Sequence, residues 1–221
     1  MLPERSYDLG LFANIAHTAP AVKNCRLVVN VSHGIIPDER PHNDLEAWFT
    51  SEEVKGFWKR DGAIVRQPID CEYWRPSDEK RDLLLFYSYR SKNAFGLDAL
   101  AERLGLTFAY VRDVTHEDAR DMMRRAALCC ASGRAALEAM ACGAPTLICD
   151  WRPYNGAPLI EFDLEIAMRA NYSGRGGVDA RASHLDGLAR AAMERGGLRD
   201  YVLRHHDHRK IADQILRLSE C

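Results

Sequence analysis

The chain has 221 residues, 47% hydrophobic and 28% charged, enough for one large or two small packed domains. Its formal net charge of −2 argues against a protein built to coat nucleic acid. No apolar run approaches the roughly 20 residues that span a bilayer, and the opening MLPERSYD carries charge where a signal peptide needs an apolar core. A cytoplasmic setting is therefore expected. The seven cysteines are odd in number and include no C-x-x-C pair, so they are expected to be reduced, buried thiols.

In chain order, residues 7–13 (YDLGLFA) and 26–31 (RLVVNV) predict two strands. Ser32-His33-Gly34 follows the second at its carboxyl end, where α/β proteins place ligand-contacting loops. His33 there could serve as a catalytic base or hydrogen-bond a sugar; it could equally be a structural turn histidine. Residues 35–44 contain two prolines and read as an irregular loop. Residues 46–50 predict a third strand, and Ser51 is placed to cap a helix to about Arg60, with Glu52 and Glu53 in its first turn. Residues 64–67 predict a fourth strand. A proline-bounded connector follows, Pro68-Ile69-Asp70-Cys71-Glu72-Tyr73-Trp74-Arg75-Pro76.

Beyond it the pattern alternates: strand 82–89, helix 93–104, strand 107–111, a helix capped by Thr115 to Arg125, strand 127–130, helix 134–142, strand 146–149. Such alternation implies a parallel sheet with helices on both faces. Residues 151–158 read as a loop, 165–170 as a last strand, 171–177 as a turn, and 184–194 and 198–218 as two closing helices.

The most informative stretch is 131–145, ASGRAALEAMACGAP. Ser132 and Gly133 stand where a helix N-cap belongs, and Gly143 and Pro145 stand at its stop. A strand–turn–helix unit of this kind aims unpaired N–H groups and a positive dipole end at the carboxyl edge of the sheet, a ready phosphate site. Glu138 stands near enough to that edge to reach a ribose hydroxyl. Arg90 and Lys92 follow the first strand after the connector and suit a diphosphate. A plain crossover helix and an exposed basic loop would account for the same residues without a ligand.

The string from Gly133 to Pro145, with Leu137-Glu138-Ala139-Met140-Ala141-Cys142-Gly143, resembles the donor-nucleotide segment of the GT-B glycosyltransferases, the family-4-like group in particular. The connector resembles that family's I-D-x-x-x-F-x-P hinge, with Trp74 in place of Phe. The resemblance implies two Rossmann-like halves, here a reduced acceptor-side domain at 1–70 and a nucleotide-sugar-binding domain at 71–221 whose last helix crosses back to the first. It implies that Glu138 holds the ribose, that Ser132, Gly133 and Arg134 face the diphosphate, and that Arg90 and Lys92 grip the phosphates, although Tyr89 stands where the family has Gly. It implies a His-Gly loop at His33. Retaining members carry a second Glu eight residues before the one matching Glu138, and here that position is Cys130. Retaining stereochemistry is thus not implied.

The expected function is metal-independent transfer of a sugar from a nucleotide-diphosphate sugar to an acceptor of unknown class, saccharide, lipid-linked or other. No cofactor is expected beyond that co-substrate. The alternative is a non-catalytic nucleotide-binding module, or a subunit whose partner chain completes the first domain. Nucleic acid is not an expected partner. His205-His206-Asp207-His208 reads as a solvated helix face ahead of a metal site, and Ser173-Gly174-Arg175-Gly176-Gly177 as a turn with Arg175 as a further phosphate candidate. Asp150 and Tyr154-Asn155-Gly156 could touch a donor sugar.

Overall fold

The computed structural model describes residues 7–12, 25–35, 40–41, 45–87, 96–150, 159–161, 163–175, 177–179 and 182–220. The chain divides into two compact units, one of Met1–Gln67 with Arg209–Cys221, the other of Pro68–His208.

The first unit holds β1 (Tyr7–Phe12), β2 (Cys25–Ser32), β3 (Glu46–Phe49) and α1 (Glu52–Trp58). The three strands pair in sequential order and in parallel. Ser51 caps α1 by accepting the Val54 N–H, with Glu52 and Glu53 in the first turn. The expected fourth strand at 64–67 reduces to one bridge, Ile64 beside Phe49. Phe49 donates to Ala63 O at 2.9 Å and accepts from Val65 N–H at 2.8 Å. The ladder stops there because β3 has no residue beyond Phe49: Thr50 and Ser51 already turn into α1. One face of the sheet buries Val29 and Trp48 with Val65, and Ile211 from the C-terminal segment closes over them with Ile215 and Leu218.

The second unit is built on six strands: β4 (Leu83–Tyr87), β5 (Thr107–Val111), β6 (Ala126–Ala131), β7 (Thr146–Asp150), β8 (Leu159–Glu161) and β9 (Val178–Asp179). Their spatial order is β5-β4-β6-β7-β8-β9. The first four run parallel, and β8 and β9 pair antiparallel. Helices α2 (Leu97–Leu104), α3 (His116–Arg125), α4 (Arg134–Ala141), α5 (Leu164–Arg169), α6 (Ala182–Glu194) and α7 (Leu198–His205) cover it, and α8 (His208–Ser219) leads into the first unit's C-terminal segment. Alternate residues of the strands serve two layers, as period-2 geometry requires. Leu85, Cys129, Ala131 and Ile148 pack with α3, α4 and the connector residues Ile69, Cys71 and Trp74. Leu84, Phe86, Leu128, Cys130, Leu147 and Cys149 pack with α2 and α6.

Three expectations are corrected. The strand expected at 165–170 is the helix α5, because Asp163 caps it by accepting the Glu165 and Ile166 N–H groups. The parallel sheet carries a short antiparallel extension, β8 between β7 and β9, with β9 at the edge. The single closing helix expected at 198–218 breaks at His206 and Asp207. There His206 O accepts the Ile69 N–H at 2.8 Å, Ile69 O accepts the His208 N–H at 3.0 Å, and the imidazole is buried at 1% exposure. These bonds tie both chain crossings of the unit to each other.

The C-terminal end of α4 is held by cations, as its dipole favours. Arg81 donates to Gly143 O and Cys142 O, and Arg199 donates to Ala141 O, Trp74 O and Cys71 O. Gly143 has φ of 72°, and a Cβ there would meet Arg81 Nη2 at 3.1 Å and Pro76 Cγ at 3.3 Å.

Candidate functional site

The strand order of the second unit sets where a ligand belongs. The chain leaves β4 to one side for β5, then returns past it to β6 on the other side. The crevice at the carboxyl ends of β4 and β6 is the topological switch point, the place where open α/β sheets bind ligands. Tyr87 ends β4, and Ala131-Ser132-Gly133 leads from β6 into α4.

Gly133 is the N-cap of α4, at φ 59° and ψ −134°. Only glycine adopts that combination without strain. Among the described residues, a Cβ on it would meet nothing within 4 Å. Of Ser132 and Gly133, the two residues expected at the N-cap, Gly133 holds the position, with no side-chain cap hydrogen bond. By contrast, Ser51, Thr115 and Asp163 cap α1, α3 and α5. Gly133's own N–H is taken, donating to Tyr172 O at 2.7 Å. Those of Arg134, Ala135 and Ala136 have no intrahelical acceptor, as in any first turn.

Glu138 stands one turn into α4 at 7% exposure. Its Oε1 accepts from Arg134 Nε–H at 2.8 Å. Burial raises its pKa, and the bond and charge of Arg134, then the charge of His116, pull it back down. Tyr87 senses the same carboxylate: burial, then Glu138 and Asp113, raise its pKa. The structure thus gathers Ser132, Gly133, Arg134 and Glu138 at the switch-point edge, with Tyr87 and His116 beside them.

Two of these neighbours were missed in the sequence, Tyr87 as the last residue of a strand and His116 as the start of a helix. Both become legible only once the strand order is known. Tyr172 was missed as well. It and Asn171 have φ of 54° and 52°, the left-handed region that non-glycine residues seldom enter. Tyr172 is 1% exposed, its backbone carbonyl fixes the Gly133 turn, and its hydroxyl lies 2.7 Å from His206 Nε2 and 3.3 Å from Tyr201 Oη. The Asn-Tyr-Ser-Gly string reads as a turn, but nothing in it signals a buried tyrosine under the helix start.

His33 belongs to the first unit, directly after β2. Thr50 Oγ1 donates to its carbonyl at 3.3 Å, and Trp58 Nε1 holds the following Gly34 O at 2.9 Å. The residue is exposed, yet the surrounding protein desolvates its ring enough to lower its pKa. Arg90, Lys92 and the loop at 154–156 lie outside the described residues. Arg175 donates its N–H to Ser173 Oγ at 3.2 Å, in the loop just after Tyr172.

Cys130 is fully buried and packs with Phe86, Leu128, Leu147 and Cys149 in the layer under α2 and α6, on the opposite face of β6 from α4. Cys71, Cys129, Cys130, Cys142 and Cys149 are buried free thiols, and burial pushes the Cys142 thiol up to about 12. The solvated-face expectation for the histidine tract is corrected, since His206 is buried. His205 stacks on Tyr201 at 4.6 Å, and His208 Nδ1 lies 3.3 Å from Ile69 O. Among the described residues no group of three or more His, Cys, Asp or Glu could hold a metal ion, and no helix is long and apolar enough to cross a membrane.

No family model and no curated protein matches the sequence. Solved structures do match. AviGT4, a glycosyltransferase involved in avilamycin A biosynthesis, aligns over 96% of this chain and 74% of its own, with a TM-score of 0.62 at 15% identity. Sucrose-phosphate synthase from Thermosynechococcus elongatus aligns over 87% of this chain and 67% of its own, with a TM-score of 0.50 at 13% identity. With parallel α/β sheets in both units and these two neighbours over most of its length, the chain has a GT-B-like, Rossmann-type fold.

Proposed function

We propose that this protein is a glycosyltransferase that takes a sugar from a nucleotide-diphosphate donor. The observation that carries the reading is a buried carboxylate, Glu138, at the switch point of a parallel sheet, beside a helix start whose N-cap is a glycine with no side-chain cap bond. On this reading Glu138 accepts two ribose hydroxyls. The free first-turn N–H groups of α4 and the Arg134 guanidinium, joined by Arg90 and Lys92, carry the diphosphate. The same groups stabilise the diphosphate as it departs with the bond's electron pair, so the proposal assigns no metal to that step. His33, kept neutral at pH 7 by its lowered pKa, takes the proton from the acceptor hydroxyl as the new glycosidic bond forms. The acceptor itself is a hydroxyl-bearing molecule of unassigned class.

The test is thermal melting with uridine, guanosine and adenosine diphosphates. At ligand about 100-fold over its dissociation constant, linkage gives roughly 2.7 kcal/mol, a shift of roughly 5–10 °C for a chain of this size. No shift with any of the three overturns the reading. Cys130 favours a second reading, a nucleotide-binding module without transfer. A thiol sealed in the core cannot act as a carboxylate. A melting shift without hydrolysis of any nucleotide sugar selects that second reading.

A further inference from the structure

Arg134 is the first residue of α4, the one position of the helix where its dipole disfavours a cation. Its side chain is 53% exposed, while that of its partner Glu138 is 10% exposed. The two ends of this ion pair therefore differ. The carboxylate is fixed in the protein, and the guanidinium lies on it from the solvent side, free to rotate away at little loss. Arg134 Nε–H donates to Glu138 Oε1 at 2.8 Å, so the guanidinium lies on the face of the carboxylate that solvent reaches. A ribose that needs both carboxylate oxygens must meet this arginine first.

We propose that Arg134 latches the ribose site, and that a diphosphate releases the latch. The inference rests on the donor-site reading above. In the ligand-free protein the guanidinium holds Glu138. A diphosphate seated on the first-turn N–H groups of α4 lies at the base of the same side chain and offers it a planar, two-oxygen acceptor, which a guanidinium matches with paired N–H donors. Arg134 moves to the phosphate, and both oxygens of Glu138 become available to the ribose. A free nucleoside brings no such replacement and must break the ion pair uncompensated. Arg134 is thus a specificity-determining residue: it couples ribose binding to the presence of phosphate and keeps nucleosides out.

The experiment compares wild type with Arg134→Met at pH 8. Each is titrated, by ligand-observed NMR and calorimetry, with uridine, adenosine and guanosine and with their diphosphates. The base with the tightest diphosphate complex is carried forward. The latch requires opposite changes in the variant. Diphosphate binding weakens by about tenfold or more, the loss of a charge-assisted contact, while nucleoside binding tightens several-fold. Arg134→Lys, which keeps the charge but not the fork, falls between. Diphosphate binding that weakens with the nucleoside unchanged makes Arg134 an ordinary phosphate contact and overturns the latch. Equal weakening of both ligands reduces it to a structural residue and overturns it too, as does no change in either. Melting curves without ligand confirm that the exposed substitution leaves the fold intact; Arg134→Gln replaces it if it does not. Wild type that binds none of the six ligands overturns the donor-site reading and the latch together. Binding that depends on Glu138 but lacks the opposite shifts overturns the latch alone.

Discussion

At the scale of single residues, Glu138 is held in a state that does not favour the apoprotein. It is buried, its carboxylate accepts from Arg134, and its pKa is raised by desolvation. A raised folded-state pKa means the native protein binds that proton more tightly than the unfolded chain. Stability therefore falls as pH rises from the ordinary carboxylate value through Glu138's raised one. Glu138→Gln removes this loss: its ligand-free melting temperature is expected to match or exceed wild type at neutral pH, with a flatter profile above the ordinary carboxylate value. The same change converts one acceptor oxygen into a donor, and nucleotide affinity drops by about tenfold or more. Thermal melts across pH and a nucleotide titration check the two halves. A variant that is stabilised yet binds equally well leaves Glu138 as a misplaced charge and no more. Glu138 was legible in the sequence because a Gly-cornered strand–helix unit with one acidic residue a turn inside is a local pattern. Its bond to Arg134 also follows i,i+4 spacing. Tyr87, His116 and Tyr172 were not legible, since each reaches the site through strand order or a long-range bond.

Among the elements, β6 shows why local pattern reading succeeds for the parallel core and fails at its margins. All six of its residues are buried. Such a strand is a continuous apolar run and can be read from composition. The short strands β8 and β9, three and two residues long, carry no run to read. In α5 the apolar residues Leu164, Ile166, Ala167 and Met168 fit either periodicity, and only the Asp163 cap decides for helix. The break between α7 and α8 is set by bonds from His206 and His208 to Ile69, more than 130 residues away in sequence, and no local rule contains it. The two faces of β6 also settle what Cys130 can become. Cys130→Glu puts a carboxylate among Phe86, Leu128, Leu147 and Cys149. An uncompensated buried charge costs about 3 kcal/mol or more. Urea denaturation is expected to show that loss, with no gain in hydrolysis of nucleotide sugars.

For the molecule as a whole, the first unit is assembled from two distant pieces of chain, 1–67 and 209–221. Ile211 is 5% exposed and packs with Val29, Trp48 and Val65. Ile211→Asp is expected to lose the tertiary structure of this unit, seen as a Trp48 fluorescence change. The nucleotide-induced melting shift persists, since every residue assigned to the donor belongs to Pro68–His208. Loss of both together would show that the units do not fold separately. The discontinuity also orders events during synthesis. A nascent chain ordinarily folds its leading domain first. Here the sheet of β1, β2 and β3 emerges early, but the helix that seals Val29 and Trp48 is translated only after the 141 residues of Pro68–His208. At about 5–20 residues per second, that is a delay of roughly 7–28 s. Throughout it the trailing unit is itself still being made, its core closed last by Leu198 and Val202, while the leading one waits on the ribosome with an apolar sheet face uncovered, a natural client for a chaperone.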